Sequence, residues 1–237
     1  MTDFLASMPA AYARAFAAPA VAEHARIVAR RGAQLAHAEL CQTGNNPSVC
    51  VVADDRPGLL VLVTDALLLH GLGIRSAQAY CRQCADGSRE AVDFLELQPP
   101  VTGTGANDSA GFDATELGAF LQTLTELIAE DVRVSEHGSS VPPPSGTPTR
   151  VYFELEALRQ GDYVLLVEAP DWSGLLNAIT STLYARGVRI LACQIGTEGG
   201  IARDRFELAG ADAQPLTAVD LCDLQLAVFD ALPRRRS

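Results

Sequence analysis

The chain has 237 residues, 48% of them apolar, and a formal net charge of −11. That apolar share supports a core and argues against disorder over most of the length, while the acidity denies the chain the positive footprint of a nucleic-acid binder. All 18 basic residues are arginine, so Schiff-base, phosphate-loop and kinase-type lysine chemistry is excluded. No apolar run of about 18 residues predicts a membrane span, and no signal peptide is evident. The 6 cysteines are scattered and are expected to be reduced thiols in a cytoplasmic protein.

In chain order, residues 1–32 are alanine-rich, with Pro9 and Pro19 as breakers and a helix expected over Ala20–Arg31. One or two such helices are expected to pack on a first sheet. Strands are predicted at Leu35–Leu40 and Val49–Asp54. A helix then starts after Asp55 as cap and Pro57 in its first turn, and stops at Gly71. Two strands, Ile74–Arg82 and Ala91–Gln98, lead to a loop at Pro99–Gly111, in which Gly103-Thr104-Gly105 reads as a spacer. Asp113 and Glu116 resemble a capping box for a helix with the stripe Leu117, Phe120, Leu121, Leu124, Leu127 and Ile128. Ser135–Thr149, rich in Ser, Pro and Gly, reads as a linker.

The remainder repeats this order. Strands are predicted at Val151–Ala157, before a turn at Gln160-Gly161, and at Tyr163–Glu168; a helix follows Asp171 and stops at Gly187. Strands at Arg189–Gly196 and Ala202–Ala209 precede a helix with Leu221, Leu224, Val228 and Leu232 on one side. At an offset of 116 residues, Asp55-Arg56-Pro57-Gly58-Leu59-Leu60 meets Asp171-Trp172-Ser173-Gly174-Leu175-Leu176, and Leu67, Gly71 and Ile74 meet Leu183, Gly187 and Ile190. After a shortening by five residues, Ala91–Leu97 meets Ala202–Leu208. Agreement sustained in order over roughly 45 residues points to duplication. The expected fold class is α+β: two ββαββα modules, a circular shift of the ferredoxin-like βαββαβ, with antiparallel sheets. The expected division is a helical segment at 1–32, modules at 33–134 and 150–237, and a linker at 135–149.

The turn before each module's first helix carries the functional question. The first N–H groups of a helix lack internal partners and, with the helix dipole, favour an anion such as a carboxylate. Gly58 and Gly174 allow close approach, and Asp55 or Asp171 can pair with an ammonium group. Such a turn can hold both ends of a free amino acid. The plainer alternative, in which Asp caps, Pro starts and Gly packs, stays open, because duplication copies structural turns too.

The stretch "DDRPGLL", the helix ending in glycine and "REAVDFLEL" resemble an ACT domain, a small amino-acid-sensing module. The tandem arrangement with leading strands is similar to the C-terminal half of PII-protein uridylyltransferases, and Met8–Arg30 resembles the helical segment before their two modules. The likeness spans about residues 8–232 and departs at Trp172-Ser173, which replaces Arg-Pro. The chain has neither the nucleotidyltransferase G-S motif with paired aspartates nor an HD signature. The resemblance therefore implies a sensor without catalysis or cofactor, binding a small amino acid, glutamine by family precedent, where modules meet. Carried over residue by residue, it implies turn ligands Asp54, Asp55, Arg56, Gly58, Leu59 and Leu60. In the second copy these are Asp171, Trp172, Gly174, Leu175 and Leu176, with Asn177 one step further in. The strand positions are Ala77, Gln78, Gln194 and Ile195.

Other constellations point elsewhere. Cys81-Arg82-Gln83-Cys84 supplies two ligands where a structural zinc needs four, and it ends a strand where redox pairs open a helix. His24, His37, His70 and His137 fall in different elements. Arg234-Arg235-Arg236 reads as a solvated terminus, and no residues assemble a nucleophile, base and orienting group. The expected function is non-catalytic amino-acid sensing passed to a partner protein, with neither membrane nor nucleic acid involved. The alternative is a ligand-independent interaction or oligomerisation module that associates through exposed sheet edges.

Overall fold

The computed structural model describes residues 2–43, 46–98, 114–130, 149–210 and 214–232. The Pro99–Gly111 loop, Asp113, His137, the linker before Thr149 and Arg234–Arg236 lie outside the described residues. The chain divides into two compact units, Met1–Arg56 with Ala66–Val132, and Pro57–Asp65 with Arg133–Ser237.

The first unit opens with α1 (Thr2–Ser7), α2 (Ala10–Ala15) and α3 (Ala18–Arg31). There are three helices among the described residues where one or two were expected, and Pro19 does not break a helix here. It sits in the first turn of α3, where a missing N–H is harmless. In chain order then come β1 (Ala36–Thr43), β2 (Asn46–Asp54), α4 (Leu59–Leu69), β3 (Gly73–Gln83), β4 (Arg89–Gln98) and α5 (Ala114–Glu130), with α4 as far as Asp65 belonging to the second unit. The strands lie in the order β1-β2-β4-β3, each antiparallel to its neighbour.

Strand alternation gives this sheet two buried faces. Cys41, Cys50, Val52, Tyr80, Val92 and Phe94 pack with Phe4, Met8, Tyr12, Val21, Ile27 and Val28 of α1–α3. Tyr12 is the hub: its ring meets those of Phe4, Phe16, Tyr80 and Phe94, and its hydroxyl is 2.8 Å from His24 Nδ1. Val49, Val51, Ala53, Ala91 and Leu95 alternate to the other face, the one left to α5, which packs on β1. The expected stripe of α5 is buried at Phe120, Leu124, Leu127 and Ile128. Leu59 to Leu67 of α4 are all buried, Thr64 and Asp65 included, so α4 is a core helix without a solvent face over that stretch.

The second unit has β5 (Arg150–Phe153), α6 (Leu155–Gln160), β6 (Tyr163–Pro170), α7 (Leu175–Ala185), β7 (Arg189–Glu198), β8 (Ile201–Ala209) and α8 (Ala218–Ala231). Its strands run in the order β7-β8-β6-β5, again antiparallel. The strand expected over Val151–Ala157 stops at Phe153, and Leu155–Gln160 is helical. Those six residues are all helix formers apart from any partner strand, and Gly161 closes the helix in the left-handed region. Thr217 and Asp220 form a reciprocal capping box for α8.

The duplication extends to backbone detail. Helices α4 and α7 begin and end at equivalent residues under the offset of 116. The register break of β3 between Ile74 and Ser76 recurs in β7 between Ile190 and Ala192. The copies differ on one sheet face. Where β4 offers Val92 and Phe94 to α1–α3, β8 has Arg203 and Arg205, which pair with Glu168, Glu198, Glu207 and Glu154. The chain is thus α+β with antiparallel strands, as the sequence predicts.

Because Tyr12 joins four aromatic rings and a buried imidazole, Tyr12→Ala should cost about 3–5 kcal/mol. Urea unfolding of the variant would read this; a change under about 1 kcal/mol would show that the N-terminal helices add little to the core.

Candidate functional site: two strand-to-helix turns and the carboxyls behind them

In the first copy β2 ends on Asp54, and Gly58 precedes α4 with φ 81°. The Gly58 carbonyl accepts from Val61 and Leu62 N–H at 3.1 and 3.2 Å. Asp55 does not cap the helix: the residue before it is a left-handed glycine, and Asp55 is turned to the strands. Its N–H donates to the Arg89 carbonyl at 3.0 Å, and its carboxylate accepts from Cys81 Sγ at 3.1 Å and pairs with Arg89 Nε at 3.2 Å. Asp54 pairs with Arg31 at 2.7 Å, and the other arm of the same guanidinium reaches Glu90 at 2.7 Å. Arg82 completes the group at 2.6 Å from Glu90. Both acids of the first turn therefore have resident cations.

Behind Asp55 lies Asp93 on β4, 3% exposed. Burial, with the charge of Asp55 adding to it, raises its carboxyl to about 7, against a backbone N–H of Tyr80. Burial and Asp55 also push the Cys81 thiol up to about 11, which leaves it a poor nucleophile at neutral pH.

The second turn has the same backbone. The Asp171 N–H donates to the Gly200 carbonyl at 2.9 Å, Leu175 N–H to Trp172 C=O at 3.1 Å, and Ala178 N–H to Gly174 C=O at 2.9 Å. Gly174 has φ 101° and precedes α7 without a side-chain cap, so Asp171 is no cap either. A Cβ at Gly174 would stand 3.1 Å from the Trp172 ring, so the indole lies against the glycine. Its Nε1 is buried without a partner. Asp204 on β8 is 2% exposed, and neither of its oxygens has a hydrogen-bond partner. Burial, then the charge of Asp171, raises this carboxyl to about 7; the Gly196 amide, which falls short of hydrogen-bond geometry to either oxygen, offsets only part.

The structure thus brings Asp54, Asp55, Gly58, Leu59 and Leu60 together at one turn, and Asp171, Trp172, Gly174, Leu175 and Leu176 at the other. Arg56 lies in the first turn beside Asp55. Asn177 is committed elsewhere: its Nδ2 donates to Thr64 Oγ1 at 2.9 Å and Asp65 Oδ1 at 2.8 Å. Ala77 and Ile195 are buried. Gln78 pairs in register with Phe94, and Gln194 with Arg205, which puts both glutamines on the sheet face opposite Asp93 and Asp204. The Tyr80 hydroxyl donates to Gln78 Oε1 at 2.8 Å, and Gln194 is exposed. Sequence reasoning missed Asp93 and Asp204. The signal was there: an acid at an inward-facing strand position, in both copies.

Among the described residues no cluster of three or more His, Cys, Asp or Glu suits a metal. Cys81 and Cys84 are free thiols, and the Cys84 N–H closes the β3–β4 hairpin on Ser88 at 2.8 Å. Each described histidine has a side-chain partner: His24 with Tyr12, His37 with Glu39 and His70 with Thr123. No helix among the described residues is long and apolar enough to cross a membrane.

Comparison with known proteins agrees with the expected likeness. Three curated relatives are bifunctional uridylyltransferase/uridylyl-removing enzymes. That of Phenylobacterium zucineum is 26% identical over 217 residues, 89% of this chain and 22% of the relative. That of Streptomyces coelicolor is 28% identical over 184 residues, 77% and 22%, and that of Thiobacillus denitrificans 28% over 206, 84% and 23%. The chain spans less than a quarter of the length of these relatives. No family model matches the chain. A solved structure of an unknown protein from Galdieria sulphuraria, 19% identical over 78% of this chain and 89% of that one, superposes with a TM-score of 0.25, too low to bear on the fold.

Two stability predictions follow from these ion pairs and carboxyls. Arg31→Ala leaves Glu90 buried with one arginine fewer and should cost about 3–5 kcal/mol in urea unfolding; a cost near zero would mean the pair is solvated. Asp93 and Asp204 hold protons in the folded state that the unfolded chain releases near its ordinary pKa, 3.8. Stability is therefore lost as pH rises from about 4 to about 7, and the loss is complete above that. Asp93→Asn and Asp204→Asn should each melt above the wild type at pH 8, with the advantage shrinking towards pH 4.5. Parallel melting curves at both pH values would contradict this.

Proposed function

We propose that the chain is a non-catalytic regulatory protein built on two ACT-type, ferredoxin-like modules, binding a small amino acid and signalling to a partner protein in the cytoplasm. The fold reading is supported by the strand order β1-β2-β4-β3. It matches a ferredoxin-like sheet once the leading strand takes the place of the usual last one. The regulatory reading is supported by the likeness to uridylyltransferases over most of this chain but less than a quarter of theirs. The observation that carries the ligand reading is the repeated turn. Each copy has an acid directly after a strand, restarts as a helix after a left-handed glycine, and has a buried carboxyl behind the turn. A buried carboxyl without a counter-ion costs stability, and in the second copy Asp204 lacks a completed hydrogen bond as well, so its retention there fits a binding role better than a packing one. A glutamine-like ligand is the family precedent, and its binding would shift the population of one arrangement that a partner reads.

A second reading, a ligand-independent interaction module, is favoured by one observation: Arg31 and Arg89 already pair with both acids of the first turn.

Thermal-shift and calorimetric titration with the twenty common amino acids separates the two. The sensor reading predicts saturable binding of at least one of them, glutamine foremost. The absence of any response, with an oligomeric mass unchanged by added amino acid, would favour the interaction module instead.

A further inference from the structure

The two turns share a backbone and differ in charge. The offsets that align the copies place Asp93 at Asp204, Arg89 at Gly200 and Cys81 at Thr197. The backbone agrees, since the Asp55 N–H bonds the carbonyl of Arg89 and the Asp171 N–H that of Gly200. In the first unit the Arg89 guanidinium is 3.2 Å from Asp55 and donates to Cys81 Sγ at 3.1 Å. In the second, a glycine without a side chain and an uncharged threonine stand at those places. The nearby arginines on β8 cannot substitute. Arg203 and Arg205 alternate to the opposite sheet face from Asp204 and are held by Glu198, Glu168, Glu207 and Glu154.

We propose that the second unit holds the ligand-competent turn and that Asp171 with Asp204 receives the ligand's primary ammonium group, whereas in the first unit Arg89 permanently fills the corresponding place. This rests on the amino-acid-binding reading above and specifies which turn serves it and by what chemistry. Three features of the second turn fit a zwitterion. Asp204 is an acceptor, 2% exposed, with no completed hydrogen bond to either oxygen, the Gly196 amide falling short of one, and an ammonium brings three N–H donors. The Trp172 Nε1 is a buried donor with no acceptor, suited to the ligand's carboxylate. Helix α7 is 11 residues long and starts at this turn, so its dipole favours the same carboxylate. Trp172 in place of arginine, which set the second copy apart from the family pattern, is on this account part of the site.

The test is calorimetric titration of the twenty common L-amino acids into the wild type, Asp204→Asn, Asp171→Asn and Asp93→Asn. Whichever amino acids bind the wild type should do so at one site per chain. Asp93→Asn should keep that affinity within about twofold, and Asp204→Asn and Asp171→Asn should weaken it by at least about tenfold. Melting curves of the same samples establish that each variant is folded, and Asp204→Asn is expected to be the more stable protein at pH 8, so its loss of binding would not be a loss of fold. Unchanged affinity in Asp204→Asn, weakening in Asp93→Asn instead, or two equivalent sites per chain would overturn the assignment while leaving amino-acid binding intact. Failure of every amino acid to bind the wild type would remove the sensor reading and this inference with it.

Discussion

A strand that must become a helix within four residues, above a buried acid, constrains each copy of this protein. β2 ends at Asp54 and β6 at Pro170, and a left-handed glycine follows four residues later in each, Gly58 with φ 81° and Gly174 with φ 101°. A residue with a β-carbon in that region costs about 1–2 kcal/mol, and at Gly174 it would also meet the Trp172 ring at 3.1 Å. The glycine frees the preceding aspartate from capping the helix and lets it turn towards the strands. Asp55 then faces Asp93, and Asp171 faces Asp204, closely enough for each charge to raise its buried neighbour.

From this shared backbone the copies diverge by electrostatics. The first is closed. Arg31 and Arg89 neutralise its turn, and the aromatic cluster around Tyr12 seals the outer sheet face under three helices. The second is open. Arginines replace Val92 and Phe94 on that face and form ion pairs near solvent, while glycine replaces the one arginine that would have balanced Asp171. Charges near the surface add little to stability, whereas an unpaired buried carboxyl subtracts from it. The second unit therefore combines a cheap exterior with a costly interior group, the pattern expected where a site is kept for binding.

Much of the fold was legible because its signals are local and repeated. The offset of 116 located both turns, both core helices and the glycines that stop them. Among the described residues, runs of apolar residues located seven of the eight strands nearly to their ends, and the short β5 in part. The misplacements are physical. Helix propensity in Leu155–Gln160 overrode an extended reading, and Pro19 served a helix start. The candidate site was legible at its turns and hidden elsewhere. Arg31 meets Glu90 across 59 positions of sequence, a pairing no spacing rule reaches. Asn177 looked free and proves bonded to Thr64 and Asp65. Asp93 and Asp204 sat inside the aligned segments, yet acids within a strand pattern read as solvent-facing until the sheet register turned them inward.

The central claim is that the unbalanced acid pair of the second unit awaits a cation that the first unit already supplies. A crystal structure of the chain grown with an amino acid that binds it would test this most directly. The account predicts one ligand per chain, its ammonium nitrogen about 3 Å from an Asp204 oxygen and its carboxylate towards Trp172 and the start of α7. A ligand seated instead against Asp55 with Arg89 displaced, or an Asp204 carboxyl satisfied by ordered water alone, would contradict it.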